Sequence, residues 1–143
     1  MKRASSSIVF ATCLSFAVAG SSSPSASATL NYEFFKAKVE PVFLAKRPGH
    51  ARCVVCHTIN NAPFHLVPLS AGSTTWNEQQ SRQNFELVQR VVQAGYLDSP
   101  LLKHPLAEEA GGDHHHGGGQ QFASKEDPLW LTLKEFVQGE AAK

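Results

Sequence analysis

The sequence has very little methionine, cysteine and net charge. It contains one methionine, Met1, three cysteines and a formal charge of +1. Such a balance gives no basic stripe of the kind that nucleic-acid-binding domains use. A second pair of cysteines, which a zinc ribbon needs, is missing. Beyond the first 28 residues no apolar run is long enough to cross a bilayer, and 143 residues allow one small domain.

The first 28 residues have the pattern of a secretory signal peptide. Lys2 and Arg3 form a positive start, residues 8–20 form a short apolar core, and residues 26–28 are Ala-Ser-Ala, which is typical of a cleavage site. The apolar core is too short and too rich in serine for a good membrane anchor. We therefore expect cleavage before Thr29, so that the signal peptide spans 1–28 and the mature domain spans 29–143.

Cleavage at this point changes the chemistry that the mature chain has available. Cys13 and Met1 leave with the signal peptide, so two cysteines and no methionine remain. A lipoprotein that keeps Cys13 is the weaker alternative, because the residues before this cysteine make a poor lipid-attachment signal. Removing Lys2 and Arg3 leaves 13 minus 2, or 11, basic residues against 12 acidic ones, which gives a formal charge of −1.

The apolar pattern predicts a mainly α domain with about three helices and long loops. The first helix is expected at 32–44, with Asn31 as its N-cap and with Pro41 kinking or restarting it. The second is expected to open with a capping box formed by Thr75 and Glu78.

The ends of the second and third helices carry the usual stop and start signals. Gly95 is expected to end the second helix. The third helix is expected at 128–138, where Asp127 can cap it and a proline suits its first turn. Between these two helices lies a glycine-rich segment with three adjacent histidines.

The stretch RCVVCHT places Cys53, Cys56 and His57 within five positions. The pattern C-x-x-C-H is the attachment signature of c-type haem. Two intervening residues let both sulfurs reach the vinyl groups on one porphyrin edge, and His57 then lies under the ring as an iron ligand. A structural disulfide would leave His57 unexplained, and a thioredoxin-like pair needs a strand where an amphipathic helix is expected. The motif therefore predicts one covalently bound haem c.

Other segments make the sequence similar to single-haem cytochrome c domains. An amphipathic helix precedes the motif, and the short helix DPLWLTLKEFV follows near the end of the chain. The segments TTWNEQQSRQNFELV and SPLLKHPLAEEAGGDHHHGGGQQF resemble exported cytochrome c-like domains of planctomycete and acidobacterial type, which carry an H-G-G-G turn before the last helix. The resemblance covers most of the mature chain. It implies a cytochrome c-like fold around one covalently attached haem and a role in electron transfer.

The second axial ligand of the iron is expected to be a histidine, because the mature chain has no methionine for this position. His116 is the first choice. It opens the H-G-G-G segment, where the resemblance places a ligand-bearing loop, and the glycines let the backbone approach a porphyrin closely. His115 in the same loop and His104, which precedes a proline, are the alternatives.

Two further residues are expected at the haem. Arg52, next to Cys53, can pair with a haem propionate. The carbonyl of Pro63 can accept a hydrogen bond from the His57 ring and so make that imidazole a better donor to iron. His65, eight residues after His57, is expected near a propionate or at the surface.

Together these expectations describe an exported one-electron carrier that is not an enzyme, because two histidine ligands leave no open site for a substrate. The alternative is a peroxidase-like haem enzyme or a gas sensor with an open sixth position. Expected partners are redox proteins that dock with little electrostatic steering, and not nucleic acid. Membership of a larger respiratory or extracellular assembly is also compatible with the sequence. The expected location is the periplasm or the cell exterior, with no transmembrane segment in the mature chain.

Overall fold

A computed structural model describes residues 28–59 and 64–140 of the chain, so Pro63 and nearly all of the expected signal peptide lie outside it. The described part is mainly helical and contains two isolated β-bridges but no strand. None of its helices is long and apolar enough to cross a membrane. The elements in chain order are α1 (Tyr32–Phe34), a π-helical segment (Phe35–Val39), α2 (Glu40–Leu44), α3 (Cys53–His57), α4 (Glu78–Gln89), α5 (Pro100–Lys103), a 3₁₀ turn (Glu108–Ala110) and α6 (Pro128–Gln138).

The helical run at 32–44 has the predicted bounds and the predicted cap. The Asn31 side chain accepts a hydrogen bond from the backbone N–H of Phe34 at 2.7 Å. Pro41 has no N–H, and its ring crowds the preceding turn. The turn before it is wide, with the N–H of Glu40 bonded to the carbonyl of Phe35, five residues earlier. The helix therefore restarts through a π-helical turn, a detail that the sequence pattern did not predict.

The predicted start of the second helix is wrong by two residues. Asn77 caps α4, since its side chain accepts from the N–H of Gln80 at 3.0 Å and the Gln80 side chain accepts from the N–H of Asn77 at 3.1 Å. Asparagine is at least as good an N-cap as threonine. Trp76, just before the cap, is buried and donates its indole N–H to the carbonyl of Val67, which holds this part of the chain outside the helix.

The predicted end of the same helix at Gly95 is also wrong. Helix α4 ends at Gln89, and turns follow it. Gly95 instead has a left-handed φ of +80°, and its N–H bonds to the carbonyl of Val137 at 2.7 Å. The contact with α6 therefore takes precedence over continuation of the helix.

The last helix follows the sequence expectation. Helix α6 spans Pro128–Gln138, and the Asp127 carboxylate accepts from the N–H of Leu129 at 2.9 Å. Two short helices, α3 and α5, and the 3₁₀ turn lie in segments that the apolar pattern left as loops. They are too short for a helical period to be read from apolar spacing.

Aromatic rings connect the helices in one core. Phe35 is fully buried, and its ring centre lies 5.4 Å from that of Phe85 in α4 and 5.7 Å from that of Phe136 in α6. Phe43 extends the same cluster to Phe64, beyond the α3 segment, at 5.8 Å. Contacts of this kind add stability beyond the burial of apolar area. They also fix the segment after α3 relative to the rest of the fold.

Two backbone pairings close the chain on itself. Thr29 and Glu140 exchange two hydrogen bonds of 2.9 Å. Phe122 donates to the carbonyl of Pro105 and accepts from the N–H of Ala107, which returns the histidine-rich loop to the segment after α5. Gly112 lies at a close approach within this loop, because a Cβ there would meet the Leu106 carbonyl oxygen. The pairing places the histidine-rich loop beside α5.

We expect Asp127→Ala to destabilise the domain, because this residue caps α6 and forms an ion pair with Arg47, with Nη2 and Oδ2 2.5 Å apart. Loss of the cap alone should cost about 0.5–2 kcal/mol of unfolding free energy. Asp127→Asn keeps a capping oxygen and should cost less, since a partly exposed ion pair contributes about 0–1 kcal/mol. Urea unfolding of both variants checks the order. Equal losses would contradict the capping role.

The stability that the Asp127 carboxylate contributes should decrease at low pH. Partial burial opposes ionisation of Asp127, but the hydrogen bond and charge of Arg47 and the backbone N–H groups outweigh it and lower the pKa of the carboxyl. The ionised form therefore stabilises the fold above the usual aspartate pKa of about 3.9, and this stabilisation is lost as pH falls through the lower folded value. The stability difference between the wild type and Asp127→Asn should shrink below about pH 4.

Candidate functional site

A cavity of about 480 Å³ lies between α3, α5 and the histidine-rich loop. Its wall is mostly apolar, and five of its residues carry imidazole or thiol groups. The apolar residues are Phe43, Phe64, Val91, Pro100, Leu101, Pro105, Phe122 and Leu133. The remaining wall is formed by Cys53, His57, His104, His115, His116 and Gly117. The sequence-predicted site residues Cys53, His57 and His116 thus meet at one cavity, and so do the alternatives His104 and His115.

His57 is oriented by the segment that follows α3. Its Nδ1 lies 2.7 Å from the carbonyl oxygen of Phe64, and its own carbonyl accepts from the N–H of Leu66 at 2.6 Å. The Phe64 ring packs against the imidazole at 4.9 Å between centres. With Nδ1 donating to a carbonyl, Nε2 is the nitrogen left for a ligand bond. The expected acceptor of this hydrogen bond was the carbonyl of Pro63, which lies outside the described residues. The carbonyl of Phe64 contacts the His57 ring.

Burial lowers the pKa of His57, and the nearby His116 and His65 act in the same direction, while the bond to Phe64 opposes them. The imidazole is therefore held toward its neutral form. Neutral imidazole is the form that binds metals.

His116 has a matching arrangement in the glycine-rich loop. Its Nδ1 lies 2.7 Å from the carbonyl oxygen of Gly119, and the N–H of Gly119 bonds back to the carbonyl of His116 at 2.8 Å. Gly119 has a left-handed φ of +78°, which the turn requires and which a side chain disfavours. As at His57, Nε2 is the nitrogen that remains available.

The two imidazoles stand at a separation that suits one metal ion between them. Their ring centres are 6.4 Å apart and their planes differ by 23°. A metal ion bound at about 2.0–2.1 Å by one nitrogen of each ring separates those nitrogens by about 4 Å, and roughly 1 Å more at each end brings the ring centres to about 6 Å. Within residues 28–59 and 64–140 no group of three or more metal-binding side chains converges on one point. Two imidazoles alone therefore suit a metal ion that brings further ligands of its own.

The two cysteines, Cys53 and Cys56, belong to α3, the helix that also carries His57. Cys53 lines the cavity, and burial raises the pKa of its thiol. A Cβ placed on Gly118 would lie 4.0 Å from the sulfur of Cys56 and 3.5 Å from the His116 ring, so these groups are near neighbours. Both cysteines are free thiols, and a single turn of helix presents them beside His57.

The other histidines fall into two groups. His104 lines the cavity and its Nδ1 contacts a carboxylate oxygen of Asp113, while His115 lines the cavity from the loop. His114 is exposed and contacts Glu108 at 2.8 Å. His65 is half-buried and lies outside the wall of this cavity, and its expected place near a propionate or at the surface stays a prediction.

Two arginines lie near the site, of which Arg52 was expected there and Arg47 was not. Arg52 is half-buried and directly precedes α3, and its pairing with a propionate stays a prediction. Sequence reasoning missed Arg47, whose guanidinium lies 4.9 Å from the Phe122 ring centre and lines a second cavity of about 240 Å³ together with His50. No spacing signal connects Arg47 with Asp127 or Phe122, because these residues are far apart along the chain.

A comparison with protein-family models finds no match to this chain, and comparisons with curated proteins and with solved structures find no significant similarity.

We expect Gly119→Ala to destabilise the loop, because a side chain at φ +78° costs about 1–2 kcal/mol. Gly117→Ala is the matched control, since a Cβ at Gly117 would contact nothing within 4 Å. Thermal unfolding of the two variants measures the difference. A Gly117→Ala variant as unstable as Gly119→Ala would contradict the assigned turn.

Proposed function

We propose that the protein is an exported c-type cytochrome, with a cytochrome c-like fold, that carries single electrons on one covalently attached haem. The observation that carries the proposal is the pair of near-parallel imidazoles 6.4 Å apart at a largely apolar cavity, one of them belonging to the sequence C-V-V-C-H. Neither half of this observation is sufficient alone. A C-x-x-C-H motif arises by chance, and two neighbouring histidines occur on many surfaces.

The residues present fit a haem c. Cys53 and Cys56 would hold it by thioether bonds, and His57 and His116 would supply imidazole ligands to the iron. Such a group supplies a couple between ferric and ferrous iron that exchanges one electron. The cavity volume of about 480 Å³ is within the range of about 300–1,000 Å³ that small-molecule and cofactor sites occupy.

Groups that contact the two ligand histidines would adjust how strongly these histidines bind the iron. The carbonyls of Phe64 and Gly119 each hold the Nδ1 of one ligand histidine at 2.7 Å. Such hydrogen bonds fix the ring orientation and raise the basicity of the nitrogen that binds the metal. A histidine in place of the methionine common in cytochromes c also lowers the reduction potential. Phe43 and Phe122 help to exclude water from the cavity wall.

Electrons would enter and leave where the cavity wall reaches solvent. Val91 lines the cavity and is 39% exposed, and the side chain of His104 is 55% exposed. Partner proteins would be redox proteins that meet this rim. The formal charge near zero makes weak electrostatic steering the expectation, with a correspondingly small dependence of docking on salt. The same rim serves equally if the protein is a subunit of a larger respiratory or extracellular assembly.

A second candidate function is a haem enzyme or a gas sensor with an open sixth position. The observation in its favour is His104, which lines the same cavity and whose ring contacts the Asp113 carboxylate, an arrangement that can orient an acid–base group. This candidate requires His116 to stay off the iron.

Covalent attachment is the first prediction of the proposed function. Expressed in a host that attaches haem to exported proteins, the mature chain should keep its haem through denaturing electrophoresis and should gain the mass of one haem. The double variant Cys53→Ser, Cys56→Ser should lose it. Cys13→Ser, in the expected signal peptide, is the matched control and should have no effect on attachment. A wild-type chain without bound haem would sink the proposal.

The ligand set is the second prediction. We expect a low-spin ferric spectrum and no change in the ferrous spectrum on adding carbon monoxide, because two imidazoles close the iron. His116→Ala should open the site to carbon monoxide, and His104→Ala should not. A wild type that is high-spin and binds carbon monoxide readily would overturn the His116 assignment and favour the enzyme or sensor. Opening by His104→Ala alone would make His104 the ligand.

A further inference from the structure

The turn that carries His116 is held by a buried side chain. Gln121 is 5% exposed, and its Nε2 donates a hydrogen bond to the carbonyl of Gly118 at 2.9 Å. Gly118 lies between His116 and Gly119, whose carbonyl accepts from the His116 ring. The Gln121 amide therefore acts directly on the turn that sets the position of this imidazole.

Gln121 itself stands on a rigid base. The next residue, Phe122, is 1% exposed, and its backbone is bonded on both sides, to the carbonyl of Pro105 at 2.9 Å and to the N–H of Ala107 at 2.8 Å. The Arg47 guanidinium packs on the Phe122 ring. The position of the Gln121 backbone is thus fixed by the core and does not depend on the loop.

The turn has little stiffness of its own. Residues 117–119 are three glycines, which have more backbone freedom than any other residue. Within the turn, the hydrogen bonds run between His116 and Gly119 and so move with it. The bond from Gln121 to Gly118 connects the turn to the folded core.

We propose that Gln121 is a positioning residue that keeps His116 on the haem iron. This inference rests on the proposed function, because it takes the iron to lie between His57 and His116. Without the Gln121 bond, the three glycines can move, and the Gly119 carbonyl no longer holds the His116 ring in one orientation. The imidazole then becomes a poorer donor and leaves the iron more often. Loss of a hydrogen bond made directly to a ligand histidine costs about 10–100-fold in metal affinity, and because Gln121 acts one step further out, through Gly118, we expect a weakening of up to about 10-fold.

The test uses the mature, haem-bearing protein with carbon monoxide as the probe. Gln121→Met keeps the length of the side chain but cannot donate, and Gln121→Glu, nearly isosteric, presents a carboxylate that accepts only. Gln138→Met, at an exposed position of α6, is the matched control. We expect both Gln121 variants to form a ferrous carbon monoxide complex at concentrations up to about 10-fold below any at which the wild type responds. Their reduction potentials should also shift upward, while the control matches the wild type.

The outcomes of this test distinguish failure of the positioning role of Gln121 from failure of the proposed function. A wild type closed to carbon monoxide together with two folded but unchanged Gln121 variants overturns the positioning role and leaves the proposed function standing. A wild type that already binds carbon monoxide readily overturns both, and its own spectrum identifies that case. If neither Gln121 variant yields folded protein while Gln138→Met does, Gln121 supports the whole fold and the local role is overturned.

Discussion

Holding two imidazole rings near-parallel with their centres 6.4 Å apart requires two separate parts of the chain to be fixed relative to each other. One part is α3, which the bonds from His57 to Phe64 and Leu66 tie to the segment behind it. The other is the histidine-rich loop, which the pairing of Phe122 with the chain around Leu106 returns to the core. Both parts pack against the buried core that contains Phe35 and Phe43, one through Phe64 and the other through Phe122. Each of these contacts matters because an error of a fraction of an ångström in either part changes whether one metal ion can meet both rings.

The cavity wall shares Phe43, Phe122 and Leu133 with the buried core of a small domain. The chain expected after cleavage has 143 minus 28, or 115, residues, and domains of this size bury a modest core. An apolar group held in the cavity would contact Phe43, Leu101 and Leu133 in the folded state and would lose these contacts on unfolding. Burial of apolar surface of that kind adds to the free energy of unfolding. In the cytochrome proposed above, the group that fills the cavity would therefore also stabilise the fold.

Local signals in the sequence account for a good part of this arrangement. The helical run at 32–44 and the whole of α6 follow from apolar spacing and from caps at Asn31 and Asp127. The meeting of His57 with His116 was expected from the motif and from the resemblance. The start of α4 was misplaced because Asn77, and not Thr75, caps it, and its end because the contact of Gly95 with Val137 outweighs local propensity. The contacts of Arg47 and Gln121 depend on which loop returns where, and no local pattern contains that information.

Thr29 and Glu140 are about 110 residues apart (140 minus 29) and yet exchange two backbone hydrogen bonds. A ribosome makes Thr29 long before Glu140, so the first helical run waits for α6, against which Phe35 packs, until synthesis of the domain is nearly complete. Contacts that distant are slow to form because a long loop must close first. An exported chain would thus reach the far side of the membrane with its core unfinished. In the cytochrome proposed above, Cys53 and Cys56 would be open during that interval to an enzyme that modifies thiols.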